Sequence, residues 1–231
     1  MKPRDLKRER LKHGWVQAEA ARRLGVSQPY VAMLEEGKRH LTADLARKAA
    51  RVYGRPPVEL PVSETFAPAR NVGPQHLVEY LSRLEYPGFA HVRPHVPKKN
   101  PAEVLLTALA QESLEARVAE GLPWLMLHYW EMNPNWLVAQ AKRFDLQNRL
   151  GFVTSLAHEL SARTPETGRT NALFNLKTLL DPSRLMRVDF FPRPPRNQSE
   201  REWLRQNQSD EARHWNLLSD LRPEHLQYAA W

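Results

Sequence analysis

Residues 17–39 read QAEAARRLGVSQPYVAMLEEGKR, and this stretch decides the fold of the chain's first quarter. Gln17 to Leu24 has the composition of a short helix. Gly25 follows, where a positive φ costs a glycine little. Ser27 is placed to cap a second helix, because its hydroxyl can accept an orphan backbone N–H. Pro29 falls in the first turn of that helix, where a missing N–H costs nothing. Gly37 closes it. The helix turns apolar through Val31, Ala32, Met33 and Leu34, with Val31 and Leu34 facing the domain. Its first turn, Ser27-Gln28-Pro29-Tyr30, looks outward and is built to present itself to something.

The flanks extend the pattern. A basic helix precedes it, with Leu6 and Leu11 as one apolar face and Gly14 at its end. Thr42 is the expected N-cap of ADLARKAARVY, with Leu45, Ala49 and Val52 inward. Gly54 ends that helix and Pro56-Pro57 forbids its continuation. Residues 1–60 carry 14 Lys and Arg against 7 Asp and Glu, so nearly the whole net charge of +8 lies there. Such an imbalance points to a polyanionic partner for this segment.

Two helices joined by a tight glycine turn form a helix-turn-helix unit. Residues 6–54 resemble the Cro/CI-type (Xre) helix-turn-helix family. The marks are a Gln opening the second helix, the Gly25-Val26 turn, the Ser27-Gln28 start and Leu34-Glu35-Glu36-Gly37-Lys38 after it. The resemblance implies a compact all-helical DNA-binding domain of four to five helices. An α-helix fits the major groove, and its N-terminal residues reach base edges. Gln28 can bond adenine bidentately, Pro29 and Tyr30 flank it, and Met33 can touch a thymine methyl or pack inward. By resemblance Gln17 meets a phosphate from the start of the second helix, and Lys38 and Arg39 meet phosphate as charges. Arg10 is expected to pair with Glu35 and also to lie near the DNA backbone. The chain departs from the family pattern at Trp15, Val16, Ala20 and Tyr30, the last standing where a small hydroxyl residue is usual.

A linker is expected over 61–74, rich in Pro, Ser and Thr. Residues 75–231 read as a larger, mainly helical domain for dimerisation or partner binding, making the whole chain all-α. Asn100-Pro101-Ala102-Glu103 reads as a capping box, with Leu105, Leu106, Leu109, Leu114 and Val118 following at helical spacing. Gly121-Leu122-Pro123 is expected to break the chain and start a helix, as is Asn133-Pro134. Asp145 is the expected cap of a helix through Leu160, and Arg169 to Leu180 is a further helix. The prolines of RVDFFPRPPR, Arg187 to Arg196, suggest an extended arm. Ser199 to Glu202 caps one more short helix. Trp124, Tyr129, Trp130 and Trp136 suit core packing or a partner surface, with Trp203, Trp215 and Trp231 further along.

Other chemistry finds little footing. Ser155, His158 and Glu159 lack a nucleophile-elbow turn, and the second His of a zincin helix is missing. Asp181 and Asp189 are the other candidate carboxylate pair, and Asp181 more simply precedes a proline turn. Without cysteine, thiolate metal sites and disulfides are excluded. No cofactor, no metal and no catalysis are expected. No apolar run approaches the ~18 residues of a membrane span. The charged N-terminus has no apolar signal segment, so a cytoplasmic protein without membrane contact is expected. These readings converge on a sequence-specific double-stranded DNA-binding transcriptional regulator, a repressor acting as a homodimer. The alternative is an antitoxin that clasps a toxin with its C-terminal half and the Pro-Arg arm.

Overall fold

The computed structural model describes residues 3–63 and 65–226, leaving the side chains of Pro3 and Arg4 outside the description along with Trp231. The chain divides into two compact units, Met1–Phe66 and Ala67–Trp231.

The first unit has four α-helices among its described residues: α1 (Pro3–Lys12), α2 (Gln17–Leu24), α3 (Gln28–Glu35) and α4 (Ala43–Val52). Their inward residues Leu6, Ala21, Leu24, Val31, Leu34, Ala49 and Tyr53 form one buried cluster. The local signals set the boundaries. Gly25 takes φ +66° and its N–H closes α2 onto Ala21 and Arg22. Ser27 Oγ accepts from Tyr30 N at 3.4 Å, and Thr42 Oγ1 from Leu45 N at 3.3 Å. One expectation fails on α1. Leu11 is exposed, whereas Leu6, Glu9 and Arg10 are buried. At ~100° per residue, Leu11 stands about 140° around the helix from Leu6, while Arg10 stands one turn above it. The second inward position is therefore a guanidinium, not an apolar side chain.

The second unit carries α5 (Pro74–Arg83), α6 (Pro101–Leu109), α7 (Ala116–His128), α8 (Pro134–Arg143), α9 (Gln147–Ser161), α10 (Thr167–Leu180), α11 (Gln198–Asn207) and α12 (Asp210–His214). Helix α9 is its axis, packed by α7, α8 and α10, with Leu150, Phe152, Val153, Leu156 and Ala157 buried. Gly151 lets the Trp215 ring lie against the α9 backbone, where an added Cβ would overlap that ring. Trp215 Nε1 donates to Ser155 Oγ at 2.9 Å, so the buried indole N–H is satisfied. The start of this unit is tied down by Gln111, whose Nε2 donates to Ala69 O at 2.6 Å and whose Oε1 accepts from Val72 N at 3.0 Å. Residues 69–72, read as linker from the sequence, are thus fastened to the second unit.

Tertiary packing overrides local signals at several points. Gly121-Leu122-Pro123 does not break the chain; it lies inside α7. Leu122, Trp124 and Leu125 are all buried around Pro123, and a Cβ on Gly121 would stand 3.0 Å from the Tyr86 ring. Burial of those side chains outweighs the cost of a proline in the helix interior. The run from Leu105 to Val118 is two helices, because α6 stops at Leu109 and α7 begins at Ala116. Asn100 does cap α6, accepting from Ala102 N at 2.9 Å. Asp145 takes φ +60° in the turn before α9, and Leu146 occupies the N-cap instead. Asn197, not Ser199, caps α11, accepting from Glu200 N at 2.8 Å.

The Pro-Arg arm is corrected most. Asp189–Phe190 (β1) pairs in parallel with Leu217–Leu218 (β2). Phe191 is buried, its ring centroid 5.8 Å from that of Phe152 on α9. Proline forbids helix here but leaves β1's ladder groups free to bond, so the segment joins the core.

Candidate nucleic-acid interface

Helix α3 separates its residues by face. At ~100° per residue, Val31, Leu34 and Glu35 fall on one side, and these are its buried residues. Pro29, Tyr30, Ala32 and Met33 turn away from it and Gln28 lies at its edge, with Gln28 and Pro29 exposed and Tyr30, Ala32 and Met33 half-buried. Tyr30 stands at the rim beside Leu34, and its ring packs against the core cluster. Ala32, half-buried like Tyr30, joins the surface assigned from the sequence to Gln28, Pro29, Tyr30 and Met33. A small side chain at the centre of this face lets a flat partner approach the helix axis closely.

The orientation of α3 is held by a buried ion pair. Arg10 Nε and Nη2 donate to Glu35 Oε1 and Oε2 at 2.6 and 2.8 Å. Arg10 Nη1 donates to Trp15 O at 2.9 Å, and Gln17 Nε2 donates to Glu35 Oε2 at 3.1 Å. Burial pushes the Glu35 carboxyl up, but the hydrogen bonds from Arg10 and Gln17 outweigh it and hold the group below the usual carboxylate range. The same pair raises Arg10. Helices α1, α2 and α3 are thereby joined at one point. Arg10 is only 7% exposed, so its expected second position near the DNA backbone is corrected: the guanidinium faces inward, with its donors spent on Glu35 and Trp15.

The remaining phosphate candidates are differently placed. Gln17 is the first residue of α2, whose N-cap Val16 supplies no side-chain acceptor. The leading N–H groups of α2 are thus available to an anion, and the helix dipole favours one there. Lys38 is exposed and pairs with exposed Glu36 at 2.7 Å, a contact cheap to exchange for phosphate. Arg39 is exposed and forms no ion pair among the described residues. Lys48 was not singled out from the sequence, yet its ammonium lies against Gly25 in the turn between α2 and α3. Trp15 stacks on His13 and Tyr53 at centroid distances of 4.6 and 5.4 Å, with Arg23 over its ring at 4.3 Å.

Candidates in the second unit are engaged in structure. Ser155 is buried under Trp215, and Asp181 accepts from or pairs with His214 at 2.6 Å. Asp189 takes a bidentate pair from Arg149, whose Nη1 also donates to Leu109 O and Gln111 O. The two aspartates therefore have separate partners. Trp124, Tyr129 and Trp215 belong to the core, Trp130 and Trp136 are half-buried, and Trp203 is exposed. Among the described residues no helix is long and apolar enough to cross a membrane.

No curated protein and no solved structure matches the chain. One family model does match, described as helix-turn-helix, over residues 6–60. The match covers the described helices α2 to α4 and most of α1, and it ends before the second unit begins. With α3 presented on an outward face, residues 6–60 are similar to the helix-turn-helix family, and that match supports a DNA-binding transcription regulator.

Proposed function

We propose that the chain is a sequence-specific repressor that reads an inverted repeat in double-stranded DNA as a homodimer in the cytoplasm. The observation that carries this is the outward face of α3, Gln28-Pro29-Ala32-Met33, on a helix locked by Arg10 and Glu35. Gln28 reads an adenine edge, and Ala32 and Met33 meet thymine methyls. The leading N–H groups of α2 with Gln17, and the ammonium and guanidinium of Lys38 and Arg39, hold the phosphates on either side. One such module touches few base pairs, so two copies on half-sites about 10–10.5 bp apart are needed for useful specificity. Catalysis has no part in this reading.

The antitoxin alternative drew on a free arm at 187–196. With β1 paired and Phe191 buried, the middle of that arm packs on the second unit, while Arg187, Val188, Pro194 and Arg196 stay exposed. Of the surface aromatics it also drew on, Trp203 is exposed, whereas Trp124, Tyr129 and Trp215 are buried.

Selection of bound duplexes from a random pool, using the full chain, tests the proposal. The expected product is a repeated motif with two-fold symmetry. Its affinity should fall steeply with salt, and Lys38→Ala should lower the log–log slope by about one unit. Recovery of duplexes without a common motif would overturn sequence-specific reading. An unchanged slope for Lys38→Ala would remove that residue from the phosphate contacts.

A further inference from the structure

Helix α10 is amphipathic in an unusual sense. Leu173, Leu176 and Leu180 are buried against the unit, as a core helix requires. The opposite side carries Asn171, Phe174, Asn175, Thr178 and Leu179, at the i, i+3, i+4, i+7, i+8 spacing that defines one helix face. All five are exposed, Phe174 at 54% and Leu179 at 45%. Thr167 and Gly168 continue the same face toward the N-terminus of the helix. None of these residues is charged, in a chain that is 26% Asp, Glu, Lys and Arg. The two cations of α10 are turned aside and tied off. Lys177 pairs with Glu211 of α12 at 2.8 Å, and Arg169 with Glu166 at 2.7 Å.

We propose that this face is where a second copy of the chain docks, α10 against α10 across a two-fold axis. A two-fold interface sets the same patch against itself. A charged patch would then meet its own sign, whereas a neutral face with apolar and amide groups is complementary to itself. Phe174 and Leu179 supply the apolar contact. Asn171 and Asn175, each offering a donor and an acceptor, supply amide pairing between copies. Asn175 lies midway between Asn171 and Leu179, so it meets its own counterpart whether the two helices run parallel or antiparallel.

The size of the face fixes the strength. Fourteen residues make a helix ~21 Å long. One such face buries less than the ~800 Å² per partner of a standard stable interface. The dimer is therefore a dissociable one in free solution. Two half-sites on one duplex raise the effective concentration and close it.

This inference rests on the dimeric reading above, and its test keeps the two apart. Sedimentation velocity of the full chain across a concentration series needs no DNA, and should show a reversible monomer–dimer equilibrium. Asn175→Lys and Asn175→Asp each set like charges against each other, and should each weaken self-association by about tenfold or more. Mixing the two variants in equal amounts should restore the dimer, a result that a merely damaged helix would not give. Both variants should keep the wild-type melting temperature and the wild-type affinity for a single half-site. Wild-type chain that stays monomeric at every concentration, alone and on a duplex with two half-sites, would overturn the inference. So would two charge variants that dimerise as the wild type does. If single half-site binding is absent while the mixture still dimerises, the DNA reading fails and the interface stands.

Discussion

The two units solve one problem, fixing helices in place, by different means. The second unit surrounds an almost wholly buried helix, α9, with apolar side chains, and one of its two fully buried tryptophans, Trp215, lies directly on the α9 backbone at Gly151. The first unit is far smaller and has only seven residues in its buried cluster. A domain of that size hides a smaller fraction of its surface, and so has less apolar burial to draw on. It places Arg10 and Glu35 at the junction of α1, α2 and α3 instead. Apolar packing tolerates small rotations of a helix; a bidentate ion pair with a third donor does not. The difference fits their tasks, since only α3 must present a face at a defined angle.

If that comparison is right, removing Arg10 should be the most damaging single change. Arg10→Ala leaves the Glu35 carboxylate buried with Gln17 as its remaining donor. Breaking a buried pair in this way costs about 3–5 kcal/mol. A unit of this size is expected to have only ~3–10 kcal/mol of stability in total. Denaturant unfolding followed by circular dichroism should then show two transitions, the first-unit one largely lost and the second-unit one unmoved. Equal shifts of both would mean that the units do not hold their stability separately.

The matching test in the second unit is Gly151→Ala. The new methyl overlaps the Trp215 ring, which is fully buried and anchored on Ser155, so the ring has nowhere to go. Overpacking of this kind costs about 1–3 kcal/mol. It should move only the second-unit transition, and it should leave DNA affinity at a single half-site unchanged.

The same contrast explains what could be read without a structure. Helices α2, α3 and α4 were legible to within a residue, because their punctuation is local: Gly25, Ser27, Pro29 and Thr42 each act on neighbours two or three positions away. The Arg10–Glu35 pair spans 25 positions and was reached only through the family resemblance. In the second unit the local signals misled. Gly121 and Pro123 look like a break until Tyr86 is set against that turn of α7. The arm at 187–196 looks free until Leu217 and Leu218 arrive from nearly thirty residues away. The outward face of α3 was mostly legible: Gln28 and Pro29 are exposed and Tyr30 and Met33 half-buried, while Ala32, equally half-buried, was not singled out.

Acid should separate the units by a smaller margin. Burial raises the Glu35 carboxyl, and Arg10 and Gln17 more than compensate, so in the folded state it sits below its ordinary 4.5. The unfolded chain therefore takes up that proton first as pH falls. The stability contributed by the pair is complete above about pH 4.5 and is lost as pH drops through the lower folded value. Glu9, desolvated but held by Lys12, Arg8 and Arg55, acts in the same sense. In the second unit Glu211 does likewise, through Lys177 and Ser155. Glu35→Gln should flatten the acid dependence of the first-unit transition alone, measured as melting temperature against pH. An unchanged slope in that variant would show that the pair is not what acid dissolves.

The smallest effect expected is at Ser27, and it bears on whether α3 is held by its ends or by its middle. The Ser27 hydroxyl accepts from Tyr30 N at 3.4 Å, a long contact for an N-cap. Loss of such a cap costs about 0.5–2 kcal/mol in general, and a long bond belongs at the low end of that range. Ser27→Ala should therefore lower first-unit stability by about 0.5 kcal/mol. Its affinity for a single half-site should change less than that of Arg10→Ala, measured at a temperature where both variants remain folded. The reason is that Val31, Leu34 and Glu35 fix the body of α3 regardless of its first turn, and Gln28 and Pro29 begin where the helix is already anchored by Pro29's preset φ. An affinity loss from Ser27→Ala that exceeds its stability loss would place the control of the reading face at the cap, and the Arg10–Glu35 pair would then hold the unit together without aiming α3.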